Sequence, residues 1–328
     1  MRRLLGILLL LSILALPVLV VVSRGAAPAR PQVALIEITG FLEDAAGESL
    51  WSGTSTGARD VVDHLRTAQE NPRFAAVVLR INSPGGSPAA AQEIYGAVRR
   101  TRDAGKPVVV SMGDAALSAA YYAAAAADAI VANPGTLTGS LGAVVELILY
   151  GGLLERYGVT AEIIASGPYK DVGNPFRPLE PREREWLQGL VNELLDQFVA
   201  DVAAGRRMEV EAVRRLADGR AFTGRQALEV GLIDRLGGFE DAVALAAQLA
   251  GLEGRPNVVP LRKSRSFYDR LLNTAGAYLG RALAWPAAVR LLDDRAEGRS
   301  LYWLPVDLPG GWPSRPRLRL AFPLPAGG

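Results

Sequence analysis

Three short segments of this 328-residue chain hold residue types that could do chemistry together. Arg80-Ile-Asn-Ser-Pro-Gly-Gly-Ser87 joins an apolar run to a helical pattern. Its paired glycines reach backbone conformations barred to other residues. They also leave amide N–H groups at a helix start, where these can hold an anion or the oxyanion of an acyl-transfer intermediate. Ser111-Met-Gly-Asp-Ala-Ala-Leu-Ser118-Ala-Ala-Tyr-Tyr122 sets Ser118 after a strand and at or near the start of an Ala-rich helix. A rigid turn with helix N–H groups close by suits a nucleophilic serine. Ser166-Gly-Pro-Tyr-Lys170-Asp171 puts a lysine in a loop after a strand.

Taken singly, each segment has a plainer explanation: a Pro-Gly-Gly turn, a helix-capping serine and a solvated surface lysine. Together they supply oxyanion donors, a nucleophile and a base other than histidine, which is the Ser-Lys form of activated-serine chemistry. A lysine works as such a base only where an apolar pocket lowers its pKa from about 10.4 toward neutrality.

Composition narrows the field. The chain has no Cys, which excludes a thiolate nucleophile, a disulfide framework and a Cys-based metal site. Its one histidine, His64, excludes a His-rich metal centre, and any Ser-His-Asp triad would have to use it. His64 falls on a helix surface. Of 36 basic residues only Lys106, Lys170 and Lys263 are lysines. Arginine serves wherever a plain charge suffices, but it cannot give up a proton. Net charge is +2, with +6 on residues 253–328 and −4 on the rest. The basic tail suits anionic lipid or an acidic surface, and it lacks the aromatic and basic interleaving of a nucleic-acid module.

The elements that must position these segments alternate between strand and helix. Strands are expected at 33–39, 75–81, 108–112, 129–132 and 160–165. Helices are expected at 58–68, 88–102, 117–127, 141–157, 181–205, 209–217, 224–230 and 239–250. The pattern predicts an α/β domain with right-handed crossovers over residues 33–252. Ahead of it, Arg2 and Arg3 precede 19 residues of near-continuous apolar sequence from Leu4 to Val22. That length predicts a transmembrane anchor over residues 1–23, with the N-terminus cytoplasmic and the rest exported. Ala26, Ala27 and Ala29 leave open removal as a signal segment. Residues 24–32 read as a linker. Residues 253–328 form a basic, Pro-rich extension with one helix at about 266–293.

Beyond these patterns, five ordered motifs resemble the bacterial signal peptide peptidase A family in its short, single-repeat form. They are Arg-Ile-Asn-Ser-Pro-Gly-Gly-Ser at 80–87, Ser118-x-x-Tyr-Tyr, Thr-Leu-Thr-Gly-Ser-Leu-Gly at 136–142, Ser-Gly-Pro-Tyr-Lys-Asp at 166–171 and Asp-Gly-Arg-x-Phe-Thr-Gly-Arg-Gln-Ala at 218–227. The resemblance spans about residues 33–250. It implies a ClpP/crotonase-like fold of repeated β-β-α turns, an N-terminal transmembrane helix and an octameric homo-oligomeric ring. It implies Ser118 as nucleophile, Lys170 as general base, Ser140 as the residue that orients the lysine, an oxyanion hole from Gly85 or Gly86 with Ala119, and no metal or cofactor. The implied substrates are signal peptides and other unfolded apolar peptides, cut at the exported face of the cell membrane, with lipid contact through the anchor. One departure stands out. The family usually carries two glycines after the serine, whereas this chain has Ala119 and Ala120. Alanine accepts a helix start, but not a left-handed backbone. Three alternatives share parts of the pattern: a related membrane protease that cuts one membrane protein, a cytosolic acyl-CoA enzyme with a carboxylate base, and an inactive ring-forming peptide-binding scaffold.

Overall fold

The computed structural model describes residues 31–49, 53–262, 304–306 and 318–320. They divide into two units, 1–47 with 55–261, and 48–54 with 262–328. The expected anchor at 1–23 and the expected helix at 266–293 lie outside the described residues. Among the described residues, no helix is long and apolar enough to cross a membrane.

The first unit is built on a parallel sheet. Its centre is β1 (Gln32–Thr39), β5 (Phe74–Ser83), β6 (Val108–Leu117) and β7 (Ala129–Ala132). Adding β10 (Arg235–Leu236) and β11 (Asn257–Pro260) gives the order β10-β7-β6-β5-β1-β11. All five neighbouring pairs run parallel. Such a sheet needs apolar cover on both faces, which is why β5 reads as a continuous apolar run rather than an alternating one. On one face Ile36, Ile38, Val77, Leu79, Ile81 and Met112 meet α1 (Ala58–Glu70), α2 (Pro88–Asp103) and α3 (Ala119–Ala125). On the other face Val33, Ala76, Val78, Val109 and Val131 meet Ala242, Val243 and Ala246. These last three lie on α8 (Phe239–Leu249). Each fully buried Leu or Ile contributes about 1.5–3 kcal/mol relative to exposure, so Leu65, Leu79, Ile81 and Ile94 anchor the helix layer.

Shorter pieces complete this unit. β2 (Phe41–Glu43) pairs in parallel with residues 55–57 of β4 (Gly53–Gly57). β8 (Leu137–Gly139) extends the sheet beyond β7 by pairing with the end of β6, and β9 (Ala221–Thr223) pairs antiparallel with β8. The remaining helices are α4 (Gly151–Arg156), α5 (Pro181–Arg206), α6 (Val210–Leu216) and α7 (Gly224–Glu229). In the second unit, β3 (Glu48–Ser49) pairs antiparallel with Gly53 and Thr54, and β12 (Leu304–Val306) with β13 (Leu318–Leu320).

Four expectations are corrected. The strand expected to end at residue 112 runs on to Leu117, because its last three residues find β8 as a partner. The helix expected at 117–127 begins only at Ala119. The helix expected over 141–157 is present only as α4, and 160–165 is not a strand. Leu141 is buried in the core, but most apolar residues of both stretches find little cover among the described residues: Val144 is 87% exposed and Ile164 94%. Without an apolar surface or a paired edge to meet, pattern alone does not hold a helix or a strand. The sheet also takes in β11, which pairs in parallel with β1 past residue 252.

Candidate active site

The junction of β6 and α3 carries the most unusual backbone of the site. Ser118 adopts φ 50° and ψ −121°. A positive φ is uncommon for any residue with a side chain, and it persists only where the surroundings hold it. Two hydrogen bonds do so. The Ser118 N–H donates to the Gly139 carbonyl at 2.8 Å, and the Tyr122 N–H donates to the Ser118 carbonyl at 2.9 Å. Ser118 occupies the N-cap position of α3, yet its hydroxyl makes no capping hydrogen bond. The plain explanation of this serine as a helix cap therefore fails, and its oxygen remains available. Ser87, at the start of α2, is the contrast: its side chain accepts from the Ala90 N–H at 3.4 Å.

The two glycines of the 80–87 segment lie against this turn. Gly85 has φ 116°, and a Cβ there would come within 3.0 Å of the Ser118 Cβ. Its own N–H donates to Ser83 Oγ at 3.1 Å. Gly86 forms a bridge with Leu42, and a Cβ on it would lie 2.1 Å from the Leu42 carbonyl oxygen. The Leu42 N–H donates to Gly85 O at 2.9 Å and the Ser87 N–H to Leu42 O at 2.8 Å, so β2 clamps the turn from outside. Gly86, Ser118 and Ala119 line one pocket of about 120 Å³. Ala119 opens α3, so its N–H has no acceptor four residues back within the helix. Neither Ala119 nor Ala120 has a positive φ; the strained angle belongs to Ser118.

The rest of the pocket is apolar. Pro88, Tyr122, Val144, Leu194 and Phe198 line it beside Gly142 and Ala143. The Tyr122 and Phe198 rings stack with centroids 4.5 Å apart. Beneath them the Tyr122 hydroxyl donates to Asp201, and Gln92 Nε2 donates to the Tyr122 oxygen at 3.3 Å. Burial, with help from Asp201, keeps this phenol protonated well above the usual tyrosine range. Tyr122 belongs to the serine motif, but the sequence holds no signal that Leu194 and Phe198 are its pocket partners. Their spacing on α5 reads only as a core stripe.

The other expected site residues fall differently. Ser140 has φ 51°, its N–H donates to Arg220 O at 3.0 Å, and its hydroxyl donates to Gly219 O at 3.2 Å. The Asp218-Gly219-Arg220 turn thus holds the segment that leads into Gly142 and the pocket. Lys170 is exposed and is not among the residues lining the pocket of its own chain. Lys106 serves the fold instead. Its ammonium donates to Ala68 O and to Asn71 O, the latter at 2.7 Å, and so closes the end of α1. Lys263 lies outside the described residues. His64 sits half-buried on α1 and does not line the pocket.

A strained serine whose hydroxyl makes no capping hydrogen bond, sharing an apolar pocket with Gly86 and Ala119, can perform acyl transfer once a base is supplied. Comparison with known proteins agrees. The model of peptidase family S49 matches residues 100–253, and that of Clp protease matches residues 52–136. A Synechocystis sp. protein named as a candidate protease is 43% identical over 224 residues, 68% of this chain and 76% of the relative. The chloroplastic serine protease SPPA of Arabidopsis thaliana is 34% identical over 262 residues, 79% of this chain and 39% of the relative. An Enterococcus faecium protein named as a candidate signal peptide peptidase SppA is 34% identical over 212 residues, 65% of this chain and 62% of the relative. The chain thus spans less than two thirds of the latter two.

Proposed function

Because the chain belongs to peptidase family S49 and is a serine peptidase of the SppA type, we propose that Ser118 is its nucleophile and that Lys170 of a neighbouring copy is its general base. The observation that carries the first half is the Ser118 turn itself, strained, uncapped and opening on the pocket. The second half follows from the exposure of Lys170, which leaves the pocket with no amine among the described residues of its own chain. In the segment ahead of it in the chain, Ile148, Tyr157 and Ile164 are 72%, 78% and 94% exposed. So much apolar surface on one segment favours burial against another copy.

The neutral lysine takes the Ser118 proton as Oγ bonds to the peptide carbonyl carbon. The N–H groups of Gly86 and Ala119 hold the oxyanion; Gly85 is set aside because its N–H already serves Ser83. Collapse breaks the C–N bond, and the lysine passes its proton to the leaving amine. Water, deprotonated by the same lysine, then releases the acyl group. Ser140 orients the lysine. The apolar pocket favours unfolded peptides with apolar side chains at the cut, as signal peptides have. The apolar N-terminal segment anchors the enzyme in the cell membrane, with the catalytic domain on the exported side and copies joined in a ring.

Mixing copies tests this. Ser118→Ala and Lys170→Ala proteins are each inactive alone. Co-assembled in equal amounts, a site is intact when one chain keeps Ser118 and its neighbour keeps Lys170, so activity returns to roughly one quarter of wild type. A mixture as inactive as its parents removes the shared site, and an active Lys170→Ala protein removes the base.

A further inference from the structure

Lys170 lies in a loop whose two adjacent residues are both fastened to the start of one helix. On one side, the Tyr169 ring packs against Trp186 of α5 with centroids 5.6 Å apart, and the Arg182 guanidinium lies 5.9 Å from the Tyr169 ring centre. On the other, Asp171 Oδ2 accepts from Arg177 Nη2 at 2.8 Å and from Nε at 3.2 Å. The same guanidinium donates to Glu183 Oε1 at 2.7 Å and to Oε2 at 2.8 Å. Glu183 is fully buried and closes the capping box of α5, its Oε2 accepting from the Glu180 N–H at 2.8 Å. Hydrogen bonds from Arg177 and from the Glu180 N–H hold its carboxyl down at about 2, so it stays ionised at any working pH.

Further along, the loop is also tied to the start of α4: Pro175 O accepts from the Tyr150 and Gly151 N–H groups at 2.9 and 3.2 Å, and the Phe176 ring meets Tyr150 with centroids 5.5 Å apart. The loop turns twice, through Lys170 N–H to Gly167 O at 3.1 Å and Asn174 N–H to Asp171 O at 3.0 Å, and neither turn belongs to a helix or strand. A base that must reach a serine across a chain boundary gains from being held before contact, since a misplacement of about 1 Å can cost about 10²-fold in rate. One planar guanidinium bridging a loop carboxylate to a buried helix-cap carboxylate is suited to that. A lysine ammonium in its place could not bridge both carboxylates through paired N–H groups.

We propose that Arg177 and Asp171 are positioning residues: the Asp171–Arg177–Glu183 relay, with Tyr169 seated on Trp186, fastens the Lys170 loop to the start of α5 and presents the amine outward. This rests on the reading of Lys170 as the base. The relay divides into two arms. The Arg177–Glu183 arm secures α5, and the Asp171–Arg177 arm secures the loop, so breaking the second leaves the first in place.

The test uses the assembled full chain and a peptide substrate. Asp171→Asn is expected to lower kcat about 10- to 100-fold with KM and the unfolding midpoint unchanged, because the pocket residues and the Glu183 arm are untouched. The loss should persist at every pH. Arg177→Ala should lower kcat by a similar factor, and the double variant should be no worse than Arg177→Ala alone. Methylguanidinium added to Arg177→Ala should restore part of kcat. The relay is overturned if Asp171→Asn keeps wild-type kcat, if it changes KM alone, or if it merely shifts the pH midpoint while the plateau rate is unchanged. Lys170→Ala separates the two ideas: if it is active, the base assignment fails; if it is inactive while Asp171→Asn is fully active, only the relay fails.

Discussion

Adding one methyl group at Gly86 tests whether this residue is an oxyanion donor or simply part of a turn. The Cβ of an alanine there would sit 2.1 Å from the Leu42 carbonyl oxygen, 2.6 Å from the Leu42 nitrogen and 2.8 Å from the Leu42 carbonyl carbon. All three are backbone atoms of β2, which cannot swing aside as a side chain would. To restore ordinary contact, the Gly86 peptide or β2 must move by about 1 Å, a displacement worth about 10²-fold when it falls on a reacting geometry. Losing an oxyanion donor outright costs a further measure of the same kind, about 10²–10³ in kcat. Gly86→Ala is therefore expected to react with a serine-directed phosphonate at least about 10²-fold more slowly than wild type. Gly135→Ala is the control, since a Cβ there meets nothing within 4 Å. The phosphonate reaction reports both the hydroxyl and the oxyanion hole, while thermal unfolding reports the cost to the fold. If Gly86→Ala folds and labels at the wild-type rate, the amide at Gly86 is not an oxyanion donor, and the assignment of this turn is wrong.

Three further outcomes are expected. Tyr122→Phe keeps the ring on Phe198 but removes the partner of Asp201, so stability should fall by about 1–3 kcal/mol in urea while peptide cleavage by the folded enzyme barely changes. Glu183 titrates at about 2 when folded, below the ordinary value of 4.5. Its contribution is thus complete above that ordinary value and is lost as pH falls toward 2. Glu183→Gln should be less stable at neutral pH and show a shallower acid limb over that window, read from unfolding midpoints. Gly205 lets α5 approach α3, because a Cβ would lie 2.3 Å from the Ala125 carbonyl oxygen. Gly205→Ala should cost about 1–3 kcal/mol, whereas Gly189→Ala, mid-helix with open space, should gain roughly 0.5–1 kcal/mol by differential scanning calorimetry.

What the sequence made legible is what one chain can bury by itself. Phe74–Ser83 and the first half of Val108–Leu117 read as buried strands because both of their faces are covered within the chain. Ala58–Glu70 read as a helix because Val61, Leu65 and Ala68 fall on one buried stripe. The strands β8, β9 and β10 are two or three residues long and too short to carry a period. The stretch 141–165 failed for a different reason. Its apolar residues gave a plausible helix and strand, but apart from Leu141 and Tyr150 most find little cover among the described residues, and Val144, Ile148 and Ile164 stay exposed. A pattern reports that a residue wants cover, not which chain supplies it. The candidate site divides along the same line. Ser118 and Gly86 were singled out from local turn chemistry, whereas the seat of Lys170 depends on partners the local pattern does not describe.

The two alanines after Ser118 fit the same physics. A glycine pair at that place would free the backbone to go left-handed, yet the left-handed angle is on Ser118, and Ala119 and Ala120 are ordinary helix-start residues, 4% and 0% exposed. Alanine at such positions loses less backbone freedom on folding than glycine, a difference of about 0.4–1 kcal/mol per residue. It also narrows what α3 can do once formed. The strain at Ser118 costs about 1–3 kcal/mol and must be met by neighbours that do not give way. The Gly139 carbonyl holds one side of the turn, β2 holds Gly86 against it, and a stiffer first turn of α3 holds the third side. The exchange of glycine for alanine therefore leaves the Ser118 turn intact and strengthens one of the supports that keep it strained.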